Sequence, residues 1–175
     1  MAILLVFIGY HLLKYNTKKH SPETTITHVI GDADISVTYS APYKKGRKIF
    51  GELVPFNQIW RTGANEPTTF ATTKTLTIDG SQLPKGTYTL WTIPGATSWK
   101  VIFNSGSYNW GVSFDGTPTH DSALDVLTIE VPKQQLLNII EQFAIYFEDT
   151  KSLTYMYLAW DTTFVAVPII RPTID

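Results

Sequence analysis

Leu76-Thr77-Ile78-Asp79-Gly80-Ser81-Gln82-Leu83-Pro84-Lys85-Gly86-Thr87-Tyr88-Thr89-Leu90-Trp91-Thr92-Ile93 decides the fold class of this chain. Leu76 and Ile78 alternate with Thr75, Thr77 and Asp79, which is the period of a strand with one buried face. Asp79-Gly80 is a strong turn signal, and Pro84-Lys85-Gly86 marks a second turn. Thr87 to Ile93 then reads as the returning strand, which Pro94-Gly95 ends. Antiparallel strands joined by tight turns are therefore expected.

The same grammar extends in both directions. Ile35, Val37 and Tyr39 alternate with Ser36, Thr38 and Ser40, within a period-two text that starts at about Ile26. Strands are expected at Trp99 to Phe103, Asp125 to Val131, Phe143 to Phe147, Leu153 to Trp160 and Phe164 to Val167. Residues 104–124, rich in Gly, Asn, Ser, Asp and Thr, form the longest irregular stretch, and Pro132 to Glu141 is the one place for a helical turn. About eight short strands with regular turns define an all-β fold, an antiparallel β-sandwich. The expected organisation is an apolar segment at 1–13, a polar tether at 14–24 and one sandwich domain over 25–175. A chain of 175 residues makes an adequate core without disulfides or metal.

Cysteine is absent, which removes disulfides, thiolate metal sites and cysteine nucleophiles. Lys14, Lys18 and Lys19 fall in the first twenty residues, where no acid occurs, so all 15 acidic residues lie in the body beyond. A mildly acidic body lacks the basic face of a nucleic-acid partner. Ala2 to Leu13 is continuously apolar but shorter than the ~20 residues of a spanning helix. It lacks the basic start and small-residue cleavage site of a secretory signal. An uncleaved anchor, a degenerate signal and a docked amphipathic helix all remain open. The anchor is favoured because the segment has no polar face, which implies a membrane-attached, extracytoplasmic domain.

Several blocks occur in order: Ser40-Ala41-Pro42, Lys45 to Gly51, Leu53-Val54-Pro55 and Trp60-Arg61-Thr62-Gly63-Ala64-Asn65-Glu66. Leu83 to Leu90, Ile93-Pro94-Gly95, Trp99 to Asn104 and Trp110-Gly111 follow. With these the chain resembles the bacterial family known as domain of unknown function 2911, from about Ile35 to Pro168. The resemblance implies an extracytoplasmic bacterial β-domain and carries no activity with it.

Trp60 to Glu66 packs an aromatic, a guanidinium, a glycine, an amide and a carboxylate into one turn. Arg61 and Glu66 are placed for a bidentate pair across it. That corner is either internally satisfied or the wall of a pocket in which Arg61 clamps an anionic or hydroxyl-rich ligand. Tyr43-Lys44-Lys45-Gly46-Arg47-Lys48 concentrates cations, so Lys45 and Arg47 are candidates for phosphate or acidic glycan, against the plainer reading of a solvated loop. Trp110, in the irregular loop, is the candidate for stacking on a sugar, whereas Trp91 and Trp160 belong to strands and to the core. The candidate ligand-binding set is thus Arg61, Asn65, Glu66, Trp110, Lys45 and Arg47.

Enzyme signatures are weak. No nucleophile elbow, phosphate-cradling loop or His-Glu-x-x-His occurs, and no cofactor is expected. His120 near Asp115, Asp121 and Asp125 lacks a recognised metal spacing, as does His28 near Asp32 and Asp34, so no metal is expected. A non-catalytic binding or envelope-associated module is the leading reading, with a carbohydrate or small anionic ligand. A hydrolase of glycans or esters using Glu66, and a structural subunit of an envelope assembly, are the alternatives. No signal for oligomeric state is present.

Overall fold

A computed structural model describes residues 17–170 of the chain; the apolar segment 1–13 lies outside the described residues. The strands are β1 (Glu23–Ile30), β2 (Ala33–Ser40), β3 (Thr68–Thr72), β4 (Leu76–Ile78), β5 (Ser81–Leu83), β6 (Gly86–Pro94), β7 (Ser98–Asn104), β8 (Asp125–Pro132), β9 (Gln134–Asp149) and β10 (Leu153–Ile170). They form two antiparallel sheets, one ordered β1-β2-β3-β6-β7-β8 and the other β5-β4-β10-β9. The expected β-sandwich is present, with ten strands rather than about eight. β1, β3 and β5 are the additions, and their threonine, serine and glutamine content hides the alternation in the sequence.

Each sheet buries one face. Ile35 and Val37 of β2, Phe70 of β3, Leu90 of β6 and Val101 of β7 are buried from one sheet, and Ile78, Leu158, Val165 and Val167 from the other. In β6 the outer face is covered too. Trp91 is fully buried there, with its ring 5.3 Å from those of Tyr108 and His120 in the irregular segment. That segment contains a single 3₁₀ turn, Ser122–Leu124, capped by Asp121.

The two final strands expected separately, Leu153 to Trp160 and Phe164 to Val167, are one strand with a change of phase. Thr154, Met156, Leu158 and Trp160 are buried up to the break, and Thr163, Val165, Val167 and Ile169 beyond it. Asp161, at φ 57°, carries the bulge that switches the face. An inserted residue of this kind twists a strand and re-aims its neighbours.

The helical turn expected at Pro132 to Glu141 is overturned, because Gln134 to Asp149 is strand throughout. The doublets Leu136-Leu137 and Ile139-Ile140 imitate helical spacing. Their cause is an irregular register: β9 advances from Gln135 to Ile140 while β10 moves only between Thr163 and Asp161. Leu137 and Ile139 are turned out to solvent in that slack.

One end of the sandwich is closed by irregular chain between β2 and β3. Ile49, Phe50 and Val54 are buried there, and Phe50 and Trp60 pack on Trp99 and Trp160. Trp60 is nearly parallel to Trp160, with ring centres 6.2 Å apart. Burial of two indoles plus an aromatic pairing bonus of about 0.5–1.5 kcal/mol per pair makes this block a large local source of stability. Trp160→Ala is expected to lower unfolding free energy by about 3–5 kcal/mol in urea titration. A loss under about 1 kcal/mol would mean the end segment is held by something else.

Candidate functional site

The closed end carries a cleft of about 650 Å³. Trp60 and Trp160 line it together with Leu53, Pro55 and Ile59 from the segment before β3. Val112, Gly116 and Pro118 of the irregular loop form a further wall. Its charged lining is cationic: Lys45, Arg47 and Arg61 contribute beside the polar groups of His20, Ser21 and Gln58, and no carboxylate among the described residues does.

The backbone conformation that aims Arg61 explains the composition of the corner. Trp60 exchanges two hydrogen bonds with Thr92 of β6, at 2.7 and 2.9 Å, so the chain continues the place of β3 in the sheet. It then turns through Thr62 (φ 56°), Gly63 (φ 148°) and Asn65 (φ 58°). Gly63 has a second constraint, since a Cβ there would stand 2.8 Å from the Ser40 carbonyl. Left-handed φ at non-glycine residues costs roughly 1–2 kcal/mol each, and local hydrogen bonds offset it. Trp60 Nε1 donates to the Gly63 carbonyl at 3.0 Å, and Thr68 Oγ1 donates to the Thr62 carbonyl at 2.5 Å.

Arg61 is half-buried, and its Nη1 donates to the Trp110 carbonyl at 2.9 Å. Burial pulls its pKa down from the usual guanidinium value, and the charge of Glu66 partly opposes this. An arginine so placed stays charged and is incompletely hydrated, so an added anion is strongly felt. Gly111 makes the approach possible: at φ 74°, a Cβ on it would meet Pro67 at 2.6 Å and the Arg61 side chain at 3.2 Å.

Arg47 is tied by its own turn, Nε donating to the Lys44 carbonyl at 2.9 Å and Nη2 to the Tyr43 carbonyl at 2.5 Å. Lys45 Nζ lies 3.0 Å from His20 Nδ1, which accepts from it. The flanking lysines are neutralised, Lys44 by Asp161 at 3.2 Å and Lys48 by Glu52 at 3.1 Å. Among the described residues, Lys45, Arg47 and Arg61 have no carboxylate within ion-pair distance.

Of the six candidate residues, the structure brings Arg61, Lys45 and Arg47 to one cleft. Asn65 is buried in the body, its Nδ2 donating to the Ser21 carbonyl and Ser40 Oγ at 3.3 and 3.4 Å. Glu66 Oε1 is 3.5 Å from Lys18 Nζ and lies off the cleft lining. The bidentate Arg61–Glu66 pair is replaced by the Arg61–Trp110 carbonyl bond. Trp110 is half-buried behind the wall, so it offers its backbone to Arg61 and does not line the cleft.

The sequence reading missed His20 and the second role of Trp160, which is both core and cleft lining. It also missed what anchors the cleft wall. Asn104 Nδ2 donates to Asp125 Oδ1 at 2.7 Å, His120 Nε2 is 2.7 Å from the same oxygen, and Tyr108 Oη donates to Asn104 Oδ1 at 2.9 Å. This network fixes both ends of the irregular loop under Trp91. It takes up His120 and Asp125, and no group of three or more metal-ligating side chains occurs among the described residues.

The chain is thus an antiparallel β-sandwich domain with a cationic cleft at one end. A family model of proteins of unknown function, DUF2911, matches residues 21–169, and the chain belongs to that family. No curated protein and no solved structure matches it. No helix of the described residues is long and apolar enough to cross a membrane.

Asn65→Ala removes the amide that ties the chain entry at Ser21 to the end of β2 and leaves alanine at a left-handed φ. A loss of about 1–3 kcal/mol in urea unfolding is expected. A change below about 0.5 kcal/mol would return Asn65 to the solvent-facing candidates.

Proposed function

We propose that this chain is a non-catalytic binding module that takes a small anionic ligand, acidic sugars included, in the cleft lined by Lys45, Arg47 and Arg61. The observation that carries the reading is the lining itself: among the described residues, three cations have no carboxylate within ion-pair distance, and no carboxylate lines the cleft. Charge-assisted hydrogen bonds from guanidinium groups give an anion both energy and direction. Arg61 and Arg47 are already held by backbone carbonyls, so little side-chain freedom is lost on binding. Trp60, Trp160, Leu53 and Ile59 supply an apolar floor, which suits a ligand whose charge sits on a carbon skeleton.

An extracytoplasmic location with membrane attachment through the N-terminal segment completes the proposal, supported by the apolar run Ala2 to Leu13. Hydrolysis is disfavoured by the position of Glu66, which lies off the cleft beside Lys18.

Isothermal titration with inorganic phosphate and with glucuronate tests the site. Arg61→Met keeps the apolar stem and removes the charge, and it is expected to weaken binding about 10- to 100-fold. Trp110→Ala, which retains the carbonyl, should leave affinity within about threefold, the scale of a side chain that makes no ligand contact. Absence of binding of both probes at millimolar concentration, or equal affinity in Arg61→Met, would sink the reading.

A further inference from the structure

We propose that the cleft face docks on an anionic lipid surface, a headgroup phosphate entering between Arg61, Lys45 and Arg47 while Phe114, Phe56 and Leu53 enter the interface around it. This rests on the cleft being an anion site and adds where the anion comes from.

The apolar rim is the first support. Phe114 is wholly exposed, and Phe56 and Leu53 are exposed as well. Single exposed apolar residues are ordinary; these three lie in or beside segments that line one cleft. Leu53 itself lines it, Phe56 follows the lining residue Pro55, and Phe114 sits between the lining residues Val112 and Gly116. The turn that presents Phe114 is well made. Ser113 N donates to the Thr117 carbonyl at 2.8 Å, and Gly116 N donates to the Ser113 carbonyl at 3.0 Å. An ordered turn with an aromatic at its tip inserts without first having to fold.

Charge complementarity is the second. Each lysine or arginine near an anionic leaflet is worth about fivefold in partition, and three cations that have no carboxylate within ion-pair distance among the described residues line this cleft. The acids beside it are engaged. Glu52 pairs with Lys48, and Asp161 with Lys44. Asp115, next to Phe114, accepts from Thr117 N at 3.0 Å and from Ser113 Oγ at 2.8 Å, which hold its pKa below the usual carboxylate range; it stays ionised, one negative charge set against the three cations of the cleft.

Chain placement is the third. His20 and Ser21 line the cleft, and Leu13, the end of the apolar run, is separated from His20 by residues 14–19 alone. Six residues reach at most about 20 Å. A membrane contact made by the run therefore keeps this end of the sandwich near the lipid. Apolar groups of the rim then enter the headgroup–acyl boundary, where Phe and Leu reside on interfacial proteins.

Because the chain lacks cysteine, a single probe can be placed. Full-length Phe114→Cys carrying an environment-sensitive NBD fluorophore is mixed with phosphatidylglycerol vesicles and with phosphatidylcholine vesicles. Gln82→Cys, labelled likewise at the exposed β4–β5 hairpin, is the comparison. A blue shift with at least a twofold gain in emission is expected at position 114 with phosphatidylglycerol alone, and none at position 82. Vesicle association without a change at position 114 would overturn the proposal, as would an equal response to phosphatidylcholine or an equal response at position 82. Phosphate titration of the same preparation separates the two readings: phosphate binding without the shift removes lipid docking and keeps the anion site, whereas loss of both removes both.

Discussion

The near-parallel packing of Trp60 on Trp160 is the contact on which the closed end of this molecule depends. Between Ala41 and Pro67 the chain has no strand longer than an isolated bridge, so hydrogen-bonded ladders do little to hold it. Burial of Phe50, Ile49 and Trp60 against Trp99, Phe143 and Trp160 takes that part. The block is dense enough to sustain one evident cost: Trp99 Nε1 is buried with no hydrogen-bond partner among the described residues. An orphan donor of this kind costs about 1–3 kcal/mol, less than the packing of the ring returns.

That packing places the strain and the charge. With Trp60 seated, Arg61 follows immediately, and the chain must reverse within a few residues to start β3 at Thr68. The reversal uses left-handed conformations at Thr62, Gly63 and Asn65, each paid back by a specific hydrogen bond or close approach. Asp161 has the matching role on the facing strand. Its bulge leaves Trp160 on the inner face, and its carboxylate neutralises Lys44. One irregularity in β10 thus sets both the cleft floor and the charge of the turn beside it.

The sandwich was legible where one face of a strand is apolar and the other polar, as in β2, β4 and β8. It was hidden where tertiary structure breaks the period. β6, buried on both faces because the loop with Tyr108 and His120 covers Trp91, was still readable from the turns that flank it, Pro84-Lys85-Gly86 and Pro94-Gly95. β9 imitates a helix because its register slips against β10. In the site, Lys45 and Arg47 were readable from the cationic run Lys44 to Lys48, and Arg61 from the guanidinium, glycine and amide of one corner. Asn65 and Glu66 were not, since an amide and a carboxylate in a corner look alike whether they face solvent or Ser21 and Lys18. The Trp110 carbonyl is bonded by Arg61, 49 residues earlier in the chain, and the ring stays off the cleft lining, neither of which a local pattern reports.

The proposed anion site draws support from how the neighbouring cations are treated. Lys44, Lys45, Arg47 and Lys48 lie within five residues, and mutual repulsion makes such a cluster unfavourable unless it is compensated. The fold supplies Asp161 to Lys44 and Glu52 to Lys48, the two that point away from the opening. Among the described residues, the side chains of Lys45 and Arg47, which line it, receive only an imidazole nitrogen and backbone carbonyls. Those acceptors orient the groups and leave their charge in place. A turn needed for stability alone would gain from a carboxylate at either position, and Glu141 is near enough that its Oε1 accepts from the Lys45 backbone N–H at 2.8 Å. It bonds the main chain there and leaves the ammonium to the cleft. Among the described residues, local neutralisation of two cations beside the display of two others without a carboxylate, joined by Arg61 from a separate segment, is the contrast that supports the proposed anion site.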